Sequence, residues 1–314
     1  MKRYVLLIGV IISILFSLSC AKKDKKVLRV GYIPIAECVQ LYVAKDMGLF
    51  EKYGVDVEII SLSGGAKILN ALNTGNVDVG FSNVVSLILH KQKGSDLYSV
   101  FGGTYESEFF QNHALLVNGD MVKSVRDIKG KKVAVNTFKN IEELMVRKYL
   151  KSLGLSWNDV DKMEVDFPQM LPLLENGQIA VASVVEPFIT IGLEDKDGVI
   201  KKISNHYITF SPNTLVATYV ASKESIDSKK DAMRGFILAM RDATDYIKNN
   251  EAEARCIIGN YTKIPTKVLP RIGLSDFKKE LDKNDLDSIL VDMKEFNYVD
   301  KNYKLPENIK YQID

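Results

Sequence analysis

Three short polar turns hold the residue types that can grip a small molecule: Ser63-Gly64-Gly65, Ser82-Asn83 and Asn136-Thr137. Each stands between a strand-like run and a helix-like run. A helix start at such a turn presents unpaired backbone N–H groups and the positive end of the helix dipole, which suits an anionic or carbonyl group. A tight turn plus a helix cap accounts for the same residues, and both readings stay open. Two carboxylates, Glu37 after the first strand and Glu186 after Val184-Val185, fall at the same level. They accept N–H donors or balance a cation, and they repel a small anion unless turned away or paired. Glu186-Pro187 can instead brace a hinge. Flat side chains nearby are Tyr32, Phe81, Tyr105, Phe109, Phe110 and Phe188, of which two or three are expected to stack on a ligand ring. His113, beside Gln111 and Asn112, is expected to be a solvated hinge histidine; His90 is assigned to a helix surface and His206 to the hinge.

Catalytic and metal motifs are scarce. The chain has no G-x-x-x-x-G-K-[ST], no H-E-x-x-H and no Cys-x-x-Cys. Asp195-Lys196-Asp197-Gly198 lacks the later acidic ligands of a calcium loop and reads as a turn. No cofactor and no metal is expected. Composition narrows the classes further. At 314 residues, 46% hydrophobic and 26% charged, the chain suits two globular lobes and excludes disorder and collagen. Lys plus Arg number 42 against 40 Asp plus Glu, and Lys2 and Arg3 account for the whole excess. No basic field remains for nucleic acid.

The elements that must position these residues alternate. Val27 to Val30 reads as a buried strand ending at Gly31-Tyr32-Ile33-Pro34; Cys38 to Met47 repeats at helical spacing until Gly48. Val55 to Ile60, Val77 to Phe81 and Leu97 to Gly102 read as strands, Ala66 to Asn73 and Val84 to Gln92 as helices. After Asp127-Ile128-Lys129-Gly130 the pattern restarts with strand Lys132 to Val135, helix Ile141 to Leu153, a strand near Met163 to Val165, helix Met170 to Asn176 and strand Ile179 to Val185. This alternation predicts an α/β fold of two tandem units with mostly parallel, doubly wound sheets. Leu215 to Ala221 returns as a strand. Ser225 to Asn250, Thr266 to Ile272 and Leu286 to Phe296 then read as a helical tail, without further strands, that packs back on the first unit. The expected division is 27–110 plus 217–314 for one lobe and 111–216 for the other. Crossings near Glu108 to Val117 and Ser204 to Val216 form a hinge.

The first 20 residues carry Lys2, Arg3 and an apolar run too short to span a bilayer, which predicts a secretory signal. Its end, Ser17-Leu18-Ser19-Cys20, resembles a bacterial lipobox, so lipidation is expected at Cys20 with 21–26 as a polar tether. An ordinary cleavage site with Cys20 incidental is the alternative. Cys38 and Cys256 are expected to be unpaired, with one disulfide between them as the alternative.

Five separated segments carry a family resemblance: Gly31-Tyr32; Ala44 through Val57; Ala71-Leu72-Asn73-Thr74-Gly75-Asn76-Val77-Asp78-Val79-Gly80; Asp127 through Val135; and Asn176-Gly177-Gln178-Ile179-Ala180 through Glu186-Pro187. Together they resemble the bacterial solute-binding proteins of the sulfonate, nitrate and thiamine-precursor class, the NMT1/THI5-like group. The resemblance implies a two-lobed type II periplasmic-binding-protein fold with a ligand cleft and two hinge strands. It also implies delivery of the ligand to an ABC permease and its ATPase; together with the signal end, the expectation is an extracytoplasmic, monomeric receptor, lipid-anchored to the membrane. Two carboxylates and several aromatics point to a nitrogen heteroaromatic ligand, such as a thiamine pyrimidine precursor or a flavin. An aliphatic sulfonate, taurine or nitrate is the alternative. The family includes a pyrimidine-precursor synthase, whose cysteine-rich motif has no counterpart here, so the expectation is a binder and not an enzyme.

Overall fold

The computed structural model describes residues 27–194, 198–209 and 211–311. The expected signal at 1–20 with Cys20, the tether at 21–26 and Asp195-Lys196-Asp197 lie outside the described residues.

In chain order the first part comprises β1 (Val27–Tyr32), a 3₁₀ turn Ala36–Cys38, α1 (Val39–Asp46), α2 (Leu49–Lys52), β2 (Asp56–Ser61), α3 (Gly65–Asn73), β3 (Val79–Asn83), α4 (Val84–Gln92) and β4 (Leu97–Ser107). The middle comprises β5 (His113–Asn118), β6 (Lys132–Val135), α5 (Ile141–Ser152), β7 (Asp161–Glu164), α6 (Phe167–Glu175), β8 (Val181–Val185), α7 (Phe188–Leu193) and β9 (Ile200–Ser204). Then follow β10 (Asn213–Ser222), α8 (Lys223–Ser228), α9 (Lys230–Asn249), α10 (Glu251–Thr262), β11 (Asp276–Lys278) and α11 (Lys283–Glu295).

Two sheets result, one per lobe. The six-stranded sheet has the order β11-β4-β10-β3-β1-β2, and the five-stranded sheet β7-β6-β8-β5-β9. The expectation of mostly parallel sheets is corrected. β1 pairs parallel with β2 and β3, but β10 inserts antiparallel between β3 and β4, and β11 adds antiparallel to β4. In the second sheet β6 is parallel to β7 and β8, whereas β5 is antiparallel to β8 and β9. β5 and β10, which enter their sheets from the other lobe, run antiparallel to both neighbours.

Helix packing follows the apolar spacing. In α9, Met233, Phe236, Met240, Ala243 and Ile247 recur on one buried stripe and pack against α1 and α2. Gln40 of α1 donates to Thr244 of α9 at 2.7 Å, satisfying two buried polar groups at once. The helix α3 lies so close to β3 that a Cβ on Gly80 would stand 2.1 Å from Ile68 Cγ2. Glycine is therefore required by space there, not by its φ. The tail does hold a strand, β11, against expectation, and α10 is a helix over 251–262 that the sequence reading left unassigned. Cys38 is buried and Cys256 exposed, both unpaired, in agreement with the preferred reading.

Candidate functional site

The lobes touch in this structure. Ala36 of the first lobe donates its backbone N–H to the carbonyl oxygen of Glu186 in the second at 3.0 Å. Lys67 Nζ stands 3.8 Å from Asp166, and a Cβ on Gly64 would meet Thr137 Oγ1 across the gap at 3.5 Å. Three groups of residues line this interlobe space.

The first is the polar turn set. Gly64 begins α3 without a side-chain cap, so the first-turn N–H groups carry no side-chain acceptor. Ser82, at the end of β3, lies directly beneath: a Cβ on Gly65 would be 2.7 Å from its hydroxyl. That hydroxyl is buried and has no hydrogen-bond partner among the described residues. Asn83 is committed to capping α4, its Oδ1 accepting from Ser86 N at 2.9 Å. From the second lobe, Thr137 donates to the Asn136 carbonyl at 2.8 Å, and Asn140 Nδ2 donates to Asn136 Oδ1 at 2.7 Å. Asn140 in turn caps α5 through Glu143 N. Its role was not read from sequence, although an Asn just before an amphipathic run is the usual cap signal. Ser63 accepts from Lys67 Nζ at 2.5 Å.

The second group is a buried ionic cluster at the hinge. Glu37 accepts from the Thr104 hydroxyl at 3.2 Å. His113 Nε2 stands 3.8 Å from Glu37 and 3.1 Å from Glu142, while its Nδ1 is 3.1 Å from Glu106. Tyr207 donates to Glu142 at 2.9 Å and stacks on the His113 ring at 4.2 Å. Ser183 donates to Glu142 and sits 2.9 Å from His206 Nε2. Both Glu106 oxygens accept from Asn112 N. Burial pushes the Glu37 carboxyl up to about 7, against the pull of His113 and with help from Glu106 and Glu142. Burial also opposes charge on Glu142, but His113 and the hydrogen bonds outweigh it and hold that carboxyl at about 2. Burial works against charge on His113 as well, yet Glu142, Glu37 and Glu106 prevail and raise it well above the usual imidazole range. Burial keeps His206 neutral, at about 3. His113 is thus an ion-paired core residue and not the solvated hinge histidine expected. Its burial depends on three segments that no local pattern links.

The third group is an apolar mouth of about 330 Å³. Ile33, Pro34, Ile35 and Leu62 contribute from the first lobe, Phe167, Pro168 and Phe188 from the second, with Ser61, Ser63, Asp166 and Gln169 at its edge. The Phe167 and Phe188 rings lie nearly parallel, 6.2 Å apart. Phe167 was not singled out in sequence; Pro168 in the first turn of α6 fixes where that ring enters.

Not every expected residue is brought here. Phe81 packs edge-on against Tyr219 in the core at 5.3 Å. Tyr105 falls on the face of β4 opposite Thr104 and Glu106, under the Lys278 ammonium at 3.7 Å, because neighbours along a strand point to opposite sides. Tyr32 meets the Tyr42 ring edge-on at 5.6 Å and is largely buried. Phe109 is 82% exposed on the first crossing. Glu186 has both oxygens occupied, Oε1 accepting from Thr190 Oγ1 and Gly273 N, and Oε2 from Thr190 N.

Comparison with known proteins follows the same lines. Residues 36–254 match the family described as NMT1/THI5 like. A Haemophilus influenzae protein named for thiamine biosynthesis is 26% identical over 257 residues, covering 81% of this chain and 79% of that one. Among solved structures, the ligand-binding component of an ABC-type import system from Staphylococcus aureus, with zinc bound, superposes with a TM-score of 0.76 at 19% identity, over 88% of this chain and 93% of that one. The alkanesulfonate-binding protein SsuA of Xanthomonas axonopodis pv. citri, bound to MOPS, gives a TM-score of 0.73 at 18% identity, over 88% and 94%. Two α/β lobes, a cleft built from strand-end turns of both and a family match across most of the chain agree: this protein belongs to the NMT1/THI5-like family and has the two-lobed periplasmic-binding-protein fold.

Proposed function

We propose that the protein is an extracytoplasmic solute receptor that closes on a small nitrogen heteroaromatic and delivers it to an ABC permease with its ATPase. The observation carrying this reading is the apolar interlobe mouth, about 330 Å³, whose lining includes two near-parallel phenyl rings, with Asp166 at its edge facing the nearby Lys67 ammonium. That volume lies at the low end of ligand pockets, roughly 300–1,000 Å³, and favours a single ring over a flavin. Glu37 is not part of that lining and belongs to the buried hinge cluster. Ser63, Gly64, Gly65, Ser82, Asn136 and Thr137 are the groups we assign to its polar edge, and Phe188 with Phe167 to its face. Tethering to the membrane through a lipid on Cys20, a monomeric state and the absence of catalysis belong to the same reading.

A sulfonate, taurine or nitrate ligand is the second reading. The start of α3, without a side-chain cap, above the Ser82 hydroxyl, which has no partner among the described residues, favours it, since such a site suits an anion. A thermal-shift panel separates the two. An aminopyrimidine should raise the melting temperature by several degrees and an alkanesulfonate leave it unchanged; the reverse pattern refutes the heteroaromatic reading.

A further inference from the structure

Where the crossings meet the cleft, Glu37, Glu106, His113, Glu142 and His206 share one buried space, none more than 3% exposed. They come from both lobes and from the crossing between them. Glu37 follows β1 in the first lobe and Glu142 opens α5 in the second. Glu106 ends β4 and His113 begins β5, either side of the first crossing. His113 bridges them, facing Glu37, Glu106 and Glu142 at 3.8, 3.1 and 3.1 Å.

Three carboxyl groups around one imidazolium leave negative charge in excess even with Lys202 acting on Glu106, and a buried space holds that excess only at great cost. At least one carboxyl must therefore be protonated when the lobes are shut. Glu142 receives Tyr207 and Ser183 as donors besides His113, and Glu106 receives the Asn112 N–H on both oxygens. Glu37 has the Thr104 hydroxyl and the more distant imidazole. The buried groups facing the cluster, His206, Cys38, Tyr207 and Tyr219, bring no positive charge, so among the described residues beyond His113 only Lys202 contributes any. His206 is kept neutral beyond Ser183, and burial keeps Cys38, Tyr207 and Tyr219 protonated. Lys202 acts on Glu106 and Glu186 from β9.

We propose that closing the lobes takes up a proton at Glu37, so that the shut, solute-holding form gains as pH falls and opens as pH rises. This rests on lobe closure and not on which solute fills the cleft.

The sign follows from the two environments. Shut, the Glu37 carboxyl sits at about 7; open to water, it reverts toward its ordinary value of 4.5. The closed form keeps a proton that the open form has lost between those limits, so the closed-to-open ratio falls about tenfold per pH unit across them. His113, also raised in the closed form, acts with the same sign at higher pH.

Small-angle scattering of the protein without added solute, from pH 5.5 to 8.5, tests this. The radius of gyration should grow with pH in the wild type. It should remain at the compact value in Glu37→Gln, whose amide stands in for the protonated carboxyl. A radius constant in the wild type, or growing equally in the variant, overturns the proposal. Infrared difference spectra of the wild type give a readout that does not depend on how the variant folds. A protonated-carboxyl band that disappears together with compactness supports the proposal, and one that disappears at fixed radius contradicts it. Failure of an aminopyrimidine to bind would leave these measurements untouched.

Discussion

Glu186 Oε1 accepts a hydrogen bond from Gly273 N at 3.1 Å, tying the end of β8 in the second lobe to the segment leading into β11 in the first. The same carboxyl holds both donors of Thr190 at the start of α7. This residue is built as a brace between lobes. Glu186→Ala should cost about 2–3 kcal/mol of stability in chemical denaturation, the scale of losing hydrogen bonds to a charged acceptor. Its effect on solute affinity should be smaller than that of changes at the α3 turn. An unchanged denaturation midpoint would contradict the brace.

Ser82→Ala separates binding from folding. Its hydroxyl is buried without a partner among the described residues, so removing it relieves a desolvated polar group and should leave the melting temperature unchanged or slightly higher. Solute affinity should fall about tenfold, the value of one hydrogen bond near 1.4 kcal/mol. Loss of stability with affinity intact would assign the hydroxyl to the core instead.

Gly80→Ala should be severe. The added methyl would stand 2.1 Å from Ile68 Cγ2, and overpacking of this kind costs about 1–3 kcal/mol or more. Because the clash is local, Ile68→Ala in the same chain should recover part of the loss, a non-additivity that a double-mutant cycle measures. Strict additivity would show that the α3–β3 contact is not the cause.

Asp78 sets the acid limit of the first lobe. Burial opposes its charge, but Arg29, through side chain and backbone N–H, and Lys229 hold its carboxyl below the usual range. A carboxyl lowered by folding contributes stability that is present above its unfolded value and lost as pH falls through the folded one. Urea midpoints should therefore drop below about pH 4. Asp78→Asn should be less stable at pH 7 and show a flatter acid limb; an identical limb would remove Asp78 from the account.

Much of this was legible in the sequence, for identifiable reasons. The turns at Ser63-Gly64-Gly65, Ser82-Asn83 and Asn136-Thr137 stand between strand and helix as read, because polar and glycine breaks between apolar runs are local signals. Strand direction was not legible. β10 lies between β3 and β4 although more than a hundred residues separate it from either, and nothing local encodes that return. β9, Ile-Lys-Lys-Ile-Ser, and β11, three residues long, are too polar or too short to show alternation. Tyr105 was chosen by residue type, while the parity of β4 turns Thr104 and Glu106 toward the hinge instead. The ionic cluster escaped for a similar reason: Glu37, His113 and Glu142 become neighbours only once both lobes are assembled.

Calorimetric titration of the purified protein with 4-amino-5-hydroxymethyl-2-methylpyrimidine, alongside ethanesulfonate, addresses the central claim. The account predicts saturable one-to-one binding of the pyrimidine with a negative heat-capacity change, as the phenyl-lined mouth buries the ring, and little heat from the sulfonate. Tighter binding of the sulfonate, with none of the pyrimidine, would contradict it.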